Sequence, residues 1–206
     1  MIYFIVTSSI FNDCPIRKRL YITAINTLKK IIYELNIDNS NIIIVENNGQ
    51  RDTFLNTLGC EVFYTSNNSI QTNNKGLKEL QDVLDCIDKY NIAPTDFIVK
   101  MTGRYILNED SEFMKIVKDI HKTSYGCVIR YGPYYKPVNH KVDDCITGLI
   151  GMYCLYVKQI EKPGEKEAVE WKWAKVTRLI NDKHTYIVKK LGINICTTYH
   201  TDYVTV

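Results

Sequence analysis

The chain is 206 residues long, 45% hydrophobic and 24% charged, with a formal net charge of +3. That length suits one sizeable core, and the interspersed charges offer no basic stripe for a nucleic-acid backbone, so DNA and RNA are set aside as partners. Seven scattered cysteines, Cys14, Cys60, Cys86, Cys127, Cys145, Cys154 and Cys196, form no CxxC pair, which argues against a zinc site or a disulfide framework and fits a reducing compartment.

No Gly/Ser/Pro-rich linker and no repeat divides the chain, so one α/β domain over 1–206 is expected. The N-terminal IYFIV is too short for a signal-peptide core or a membrane span, and the expected location is the cytoplasm.

Residues 2–6 read as a buried strand ending in the small polar Thr7-Ser8-Ser9. Pro15 opens a helix to about residue 36, with Leu20, Ile25, Leu28, Ile31, Ile32 and Leu35 near helical spacing. Residues 42–45 predict a second buried strand that ends in Glu46-Asn47-Asn48-Gly49, and a short helix over 53–58 precedes a third strand over 61–64. Lys75-Gly76 leads into a helix with Leu77, Leu80, Val83, Leu84 and Ile87 on one face. A strand over 97–101 follows, then an amphipathic helix from Asp110 or Ser111 through Ile120. Further on, the sequence predicts a strand at 127–129, a Tyr/Pro-rich loop at 132–139 and a strand region over 145–156. A helix over about 165–181 and a last strand near 193–197 complete the chain.

This alternation predicts a mixed, mostly parallel sheet flanked by helices, with a nucleotide-type ligand bound across the carboxyl ends of the strands. The stretch Thr95 to Tyr105, TDFIVKMTGRY, places Lys100, Thr102, Gly103 and Arg104 at such an end. Two cations, a hydroxyl and a flexible backbone suit a phosphate; the plain alternative is a solvated turn. GxGxxG, GxxxxGK[ST] and GxSxG are all absent, which disfavours dinucleotide enzymes, P-loop ATPases and nucleophile-elbow hydrolases.

Four segments carry a resemblance: IIIVENNGQRDTF, NNKG (Asn73 to Gly76), DFIVKMTGRY and VEWKWA (Val169 to Ala174). In order and position they resemble glycosyltransferases of the GT-A fold, particularly small ones of large DNA viruses that glycosylate capsid proteins. The resemblance implies a single GT-A-like domain, with a nucleotide-binding half at 1–110 and an acceptor-binding half at 111–206. It also implies transfer of a sugar from a UDP-sugar to a hydroxyl of a glycan or glycoprotein acceptor by inverting displacement. Thr7, Ser8, Glu46, Lys75, Lys100, Thr102, Gly103 and Arg104 would bind the donor, Glu46 taking the uracil or ribose. Glu170 or Glu167 would be the base. Apart from the resemblance, the adjacent acidic pair Asp143-Asp144 offers acceptor or metal ligands, and Trp171 offers the acceptor a face on which a sugar can stack.

One departure matters. Family members hold Mn²⁺ or Mg²⁺ with an Asp-x-Asp pair, and here Met101-Thr102-Gly103 stands in its place. Either Lys100 and Arg104 neutralise the leaving diphosphate, or a metal is held elsewhere, for instance by His200 and Asp202. The rival functions are a catalytically inactive sugar-nucleotide or glycan-binding module and a sugar-nucleotide pyrophosphorylase. For single residues the bland alternatives stand beside these roles. Lys75 is also an ordinary first-turn residue, Glu167 and Glu170 sit three apart on a charged helix, and Trp171 and Trp173 are either stacking or core residues.

Overall fold

The computed structural model describes every residue except 11–13, 134–135, 140–141 and 197–202. In chain order the elements are β1 (Ile2–Ser8), α1 (Pro15–Glu34), β2 (Ser40–Glu46), β3 (Glu61–Tyr64), α2 (Lys75–Lys89), β4 (Phe97–Thr102), β5 (Ile106–Leu107), α3 (Glu112–Lys118), β6 (Cys127–Ile129), β7 (Leu149–Tyr153), α4 (Cys154–Val157), α5 (Val169–Leu179), β8 (Thr185–Ile187), β9 (Ile193–Cys196) and β10 (Tyr203–Thr205).

Seven strands form one sheet in the order β3-β2-β1-β4-β7-β6-β8, and β7 alone runs against its neighbours. A small antiparallel sheet, β10-β9-β5, lies beside it. The α/β class and the mostly parallel sheet are those expected from the alternation of apolar runs.

The period of two along each strand sends alternate residues to opposite faces. Phe4 and Val6 of β1 and Phe97, Val99 and Met101 of β4 pack with Tyr21, Ile25 and Leu28 of α1 and with Phe113 and Val117 of α3. Ile5 and Ile98 face the other way, onto Leu80, Val83 and Ile87 of α2 and Val169, Trp173 and Val176 of α5. Lys100 shares the parity of Ile98 and therefore points to the α2 face.

The helices start and stop where local chemistry says they should. Pro15 occupies the first turn of α1, where its missing N–H costs nothing. The Asn74 side chain caps α2 by accepting from the Leu77 N–H at 3.1 Å. Asn36 and Asn91, just past α1 and α2, adopt the left-handed conformation with φ of 50° and 49°.

Several boundaries differ from those read in the sequence. Helix α5 begins at Val169, because Gly164 to Glu167 close a turn in which the Gly164 N–H donates to the Glu167 carboxylate at 2.6 Å. The apolar run over 145–156 divides: Cys145 makes one bridge with Tyr131, β7 starts only at Leu149, and Cys154 begins α4. The short helix after β2 is a 3-10 turn over Phe54–Thr57. Among the described residues no helix is long and apolar enough to cross a membrane.

Candidate functional site

Strand order reverses between β1 and β4, since β1 is followed in sequence by its neighbour on one side and β4 returns to the other. The carboxyl ends of two such strands diverge into a crevice. Here a cleft of about 880 Å³ opens at that point, lined by Thr7 and Ser8 of β1 with Ser9 after it, and by Thr102 of β4 with Arg104 and Tyr105 beyond it. Helices α1 and α2 form two of its walls. A further wall is made by 144–148, which bonds to β4, and by the first turn of α5, which meets the start of α2.

Gly103 makes the close approach of β4 to β1 possible. Its N–H donates to the Thr7 carbonyl at 2.9 Å, and a Cβ there would come within 3.0 Å of that same oxygen and of the Tyr21 ring. Gly103 is thus a backbone requirement of the cleft floor and is not one of the residues that line the cleft.

Lys100 is not where the phosphate reading wants it. Only 2% exposed, it ion-pairs with Glu79 of α2 at 2.8 Å and donates to the Thr147 carbonyl at 2.7 Å and to Thr102 Oγ1 at 3.0 Å. The register that sets Thr7 beside Thr102 and Ile5 beside Lys100 brings all three polar side chains to the α2 face. There Glu79 also accepts from Thr7 at 2.6 Å and from Thr102 at 3.2 Å. Burial works to raise the Glu79 carboxyl, but the Lys100 ammonium and the two hydroxyls outweigh it and hold the group below its ordinary value. The charge of Lys100 is therefore balanced within the floor.

Glu46 departs from its expected role in the same way. It is fully buried and accepts from Ser8 Oγ at 2.7 Å, the Ile10 N–H at 3.0 Å, Asn48 Nδ2 at 2.7 Å and Arg51 at 3.0 Å. Such a saturated carboxylate fixes the loops after β1 and β2, and it does not line the cleft. Asn47, Asn68 and Asp82 do. Asp82, buried, accepts from Asn47 at 3.0 Å, Thr65 at 2.6 Å and Asn67 at 2.8 Å. Burial pushes its carboxyl up to about 6, the three hydrogen bonds opposing and Glu79 adding to the rise.

Cations reach the cleft from α1, α2 and the turn after β4. Lys75 and Lys78 line it from the start of α2, with Lys78 donating to the Asn68 carbonyl at 2.7 Å, and Arg104 lines it from beyond β4. Arg17 does so from the first turn of α1. Its Nε is buried and donates to no acceptor among the described residues. The sequence reading missed Arg17, Lys78, Glu79 and Asp82. Parity along β4 was the available signal for Glu79, since it sends Lys100 toward α2.

From the first turn of α5, next to the start of α2, Glu170 is half-buried, accepts from Thr147 Oγ1 at 3.3 Å and lines the cleft with Trp171, which is 52% exposed. Trp173, two residues on, is core at 2% exposure. Asp144 also lines the cleft, its carboxyl raised by burial, whereas Asp143 is exposed outside it. Glu167 is outside too. Because α5 starts after it, the three-residue spacing does not set it on one helical face with Glu170; it pairs instead with Lys172 at 2.9 Å. His200 and Asp202 lie outside the described residues, as does His140.

The carboxylates that line the cleft are poor candidates for a divalent cation. Glu79 is neutralised by Lys100, Asp82 is enclosed by three donors, and Glu170 accepts from Thr147. Among the described residues no group of three or more His, Cys, Asp or Glu side chains is placed to hold a metal ion. A hard cation needs several convergent oxygen ligands, and of the stretch where the resemblance puts the Asp-x-Asp pair only Thr102 and Arg104 line this cleft.

No protein-family model matches the chain, and no curated protein is similar to it in sequence. Among solved structures, a mannosyltransferase of Pyrobaculum calidifontis in complex with GDP-mannose and Mn²⁺ superposes with a TM-score of 0.57 at 11% identity, over 92% of this chain and 55% of that one. A Bacillus anthracis protein described as a glucose-1-phosphate thymidylyltransferase gives 0.56 at 12% identity, over 91% and 86%. A 4-diphosphocytidyl-2C-methyl-D-erythritol synthase gives 0.54 at 10%, over 96% and 94%. The chain thus spans about half the length of the mannosyltransferase. What these likenesses show is the fold, a sheet and helix arrangement that sugar transferases and nucleotidyltransferases both use.

Proposed function

We propose that the chain is a nucleotide-sugar-dependent glycosyltransferase that moves a sugar from a UDP-sugar to a hydroxyl of a glycan or glycoprotein acceptor. The observation that carries this reading is the set of side chains that line one cleft at the β1/β4 switch point. Lys75, Lys78 and Arg104 line it as one set, and Glu170 and Trp171 as another. The first set suits a diphosphate. The second offers a carboxylate base beside an aromatic face on which a sugar ring can stack.

On this reading the donor is held by 1–110 and the acceptor by 111–206. Glu170 takes the proton of the acceptor hydroxyl, whose oxygen attacks the anomeric carbon. The bond from that carbon to the diphosphate oxygen breaks, and UDP leaves with the electron pair while the cations offset its charge. Lys100 acts through Glu79, keeping Thr7 and Thr102 in place.

The test is release of UDP from a panel of UDP-sugars offered with hydroxyl acceptors. UDP release that depends on the acceptor and vanishes in Glu170→Gln supports the transferase. A second reading, a sugar-nucleotide pyrophosphorylase, is supported by the likeness in fold to the glucose-1-phosphate thymidylyltransferase structure. Pyrophosphate released from a nucleoside triphosphate and a sugar 1-phosphate would select it. Donor binding with no turnover in either assay would leave a binding module.

A further inference from the structure

Resting on the nucleotide-sugar reading, one feature of the cleft goes beyond it: a cation not recognised in the sequence stands beside the place where the fold's usual carboxylate pair is missing. Arg17 and Tyr21 are four apart on α1, so they share a face about one turn from each other. Tyr21 is in contact range of Gly103, the residue that follows Thr102 at the end of β4, and its hydroxyl accepts from the Ser9 N–H at 3.0 Å. Arg17 is therefore on the α1 face that meets the ends of β1 and β4, and with Thr7, Ser8, Ser9, Thr102 and Arg104 it lines the cleft.

Its electrostatics match an anion and oppose a metal. The Nε is buried and lacks an acceptor among the described residues, although a buried guanidinium donor left unpaired is costly. Arg17 has no ion pair with any described carboxylate, whereas Lys100, the cation read from the sequence, is committed to Glu79 at 2.8 Å. A planar fork of N–H donors suits two phosphate oxygens better than a point charge does.

We propose that Arg17, with its buried, unpaired Nε at the β1/β4 cleft, takes the place of a divalent cation and binds the diphosphate of a nucleoside diphosphate. The missing Asp-x-Asp pair and the added arginine are then one substitution. The metal that would bridge carboxylate and phosphate is replaced by a cation supplied by the chain, and the carboxylates that would repel phosphate are gone.

The test is isothermal calorimetry with pyrophosphate, UDP and uridine, in EDTA and again with Mn²⁺, on the wild-type chain, Arg17→Ala and the closer-volume Arg17→Gln. Expected are UDP and pyrophosphate affinities that agree within about twofold with and without Mn²⁺, a loss of about tenfold or more in both variants for the two diphosphates, and unchanged uridine binding. Circular dichroism melting of the variants checks that the fold is kept. Tightening of UDP binding by about tenfold with Mn²⁺, or full pyrophosphate and UDP affinity in Arg17→Gln, overturns the proposal, as does absence of pyrophosphate and UDP binding in the wild type. Arg17-dependent pyrophosphate binding without uridine binding, and with no gain for UDP over pyrophosphate, keeps the anion site and removes the nucleotide reading.

Discussion

Lys100 and Glu79 form an ion pair at 2.8 Å in which the lysine is 2% and the carboxylate 27% exposed. The pair joins the middle of the sheet to α2, and through Glu79 it fixes the hydroxyls of Thr7 and Thr102 at the cleft floor. Removing one partner leaves the other charge without its balance. Lys100→Met is expected to destabilise the fold by about 3–5 kcal/mol, the usual cost of breaking a buried pair. Combining it with Glu79→Leu recovers much of that loss. Urea unfolding of the two singles and the double measures the coupling, and a loss below about 1 kcal/mol in Lys100→Met would show the pair to be a surface interaction.

Asp82 gives a pH dependence of opposite sign to that of an ordinary salt-bridged acid. Its carboxyl is raised by burial from 3.8 to about 6, so between those values the folded chain holds a proton that the unfolded chain has lost. Stability then falls as pH rises through that window and is level above it. Two units correspond to about 3 kcal/mol at about 1.4 kcal/mol per unit. Glu79, held low chiefly against the pull of burial by Lys100, works the other way: its contribution is present above the ordinary carboxyl range and is lost as pH drops through its lowered value. Unfolding free energies measured from pH 3 to pH 8 should show the Asp82 slope, and Asp82→Asn should remove it. An unchanged slope in that variant would assign the titration to another group.

The fold was legible because β1, β2 and β4 are continuous apolar runs and the helices carry clean starts and stops, as at Pro15 and Asn74. β6, three apolar residues, was legible too, but β5, β8 and β10 were not. β5 has two residues and β8 and β10 three each, too few for a period of two to show. The site was legible as a place, since Thr7, Ser8, Lys75, Thr102, Arg104, Asp144, Glu170 and Trp171 all line one cleft. Roles were harder to read. Lys100 and Glu46 stand at strand ends as ligand residues do, yet the faces they take turn them inward, and only the strand register with the neighbouring helix reveals that. Arg17 was hidden by its helix, where a cation between Ile16 and Lys18 looks like an ordinary solvated face.

Glu170 and Glu167 are separable by kinetics. Glu170 lines the cleft, and Glu167 closes the turn before α5 and pairs with Lys172. Glu170→Gln is expected to lower kcat by about 10²–10⁴-fold, the range of a lost general base, while UDP affinity stays the same. Glu167→Gln should retain kcat. Equal losses in the two variants would move the base elsewhere.

The two tryptophans of α5 differ in kind. Trp173 is buried among the residues that join α5 to the sheet, and Trp173→Ala should cost about 3–5 kcal/mol. Trp171 projects into the cleft with half its surface exposed. Trp171→Ala should change stability by no more than about 0.5 kcal/mol and raise the acceptor KM with little effect on donor affinity. A donor-side effect instead would place the indole against the nucleotide sugar.

The meeting of α2 and α5 at the cleft depends on the absence of a side chain at Gly76. A Cβ there would lie 2.6 Å from Val169 Cγ1 and 2.7 Å from Val169 Cβ. Alanine in a helix is otherwise favoured over glycine by about 1 kcal/mol, whereas forcing an extra methyl into a filled contact costs about 1–3 kcal/mol. Gly76→Ala is therefore expected to be net destabilising and to weaken UDP binding, because the α2 start that carries Lys75 and Lys78 must move away from α5. Since the Val169 Cβ is itself within the clash, Val169→Ala added to Gly76→Ala should give little relief and Val169→Gly should restore UDP affinity. Thermal melts with UDP calorimetry on the two double variants distinguish this from a propensity effect, under which Gly76→Ala would raise the melting temperature and both doubles would behave alike.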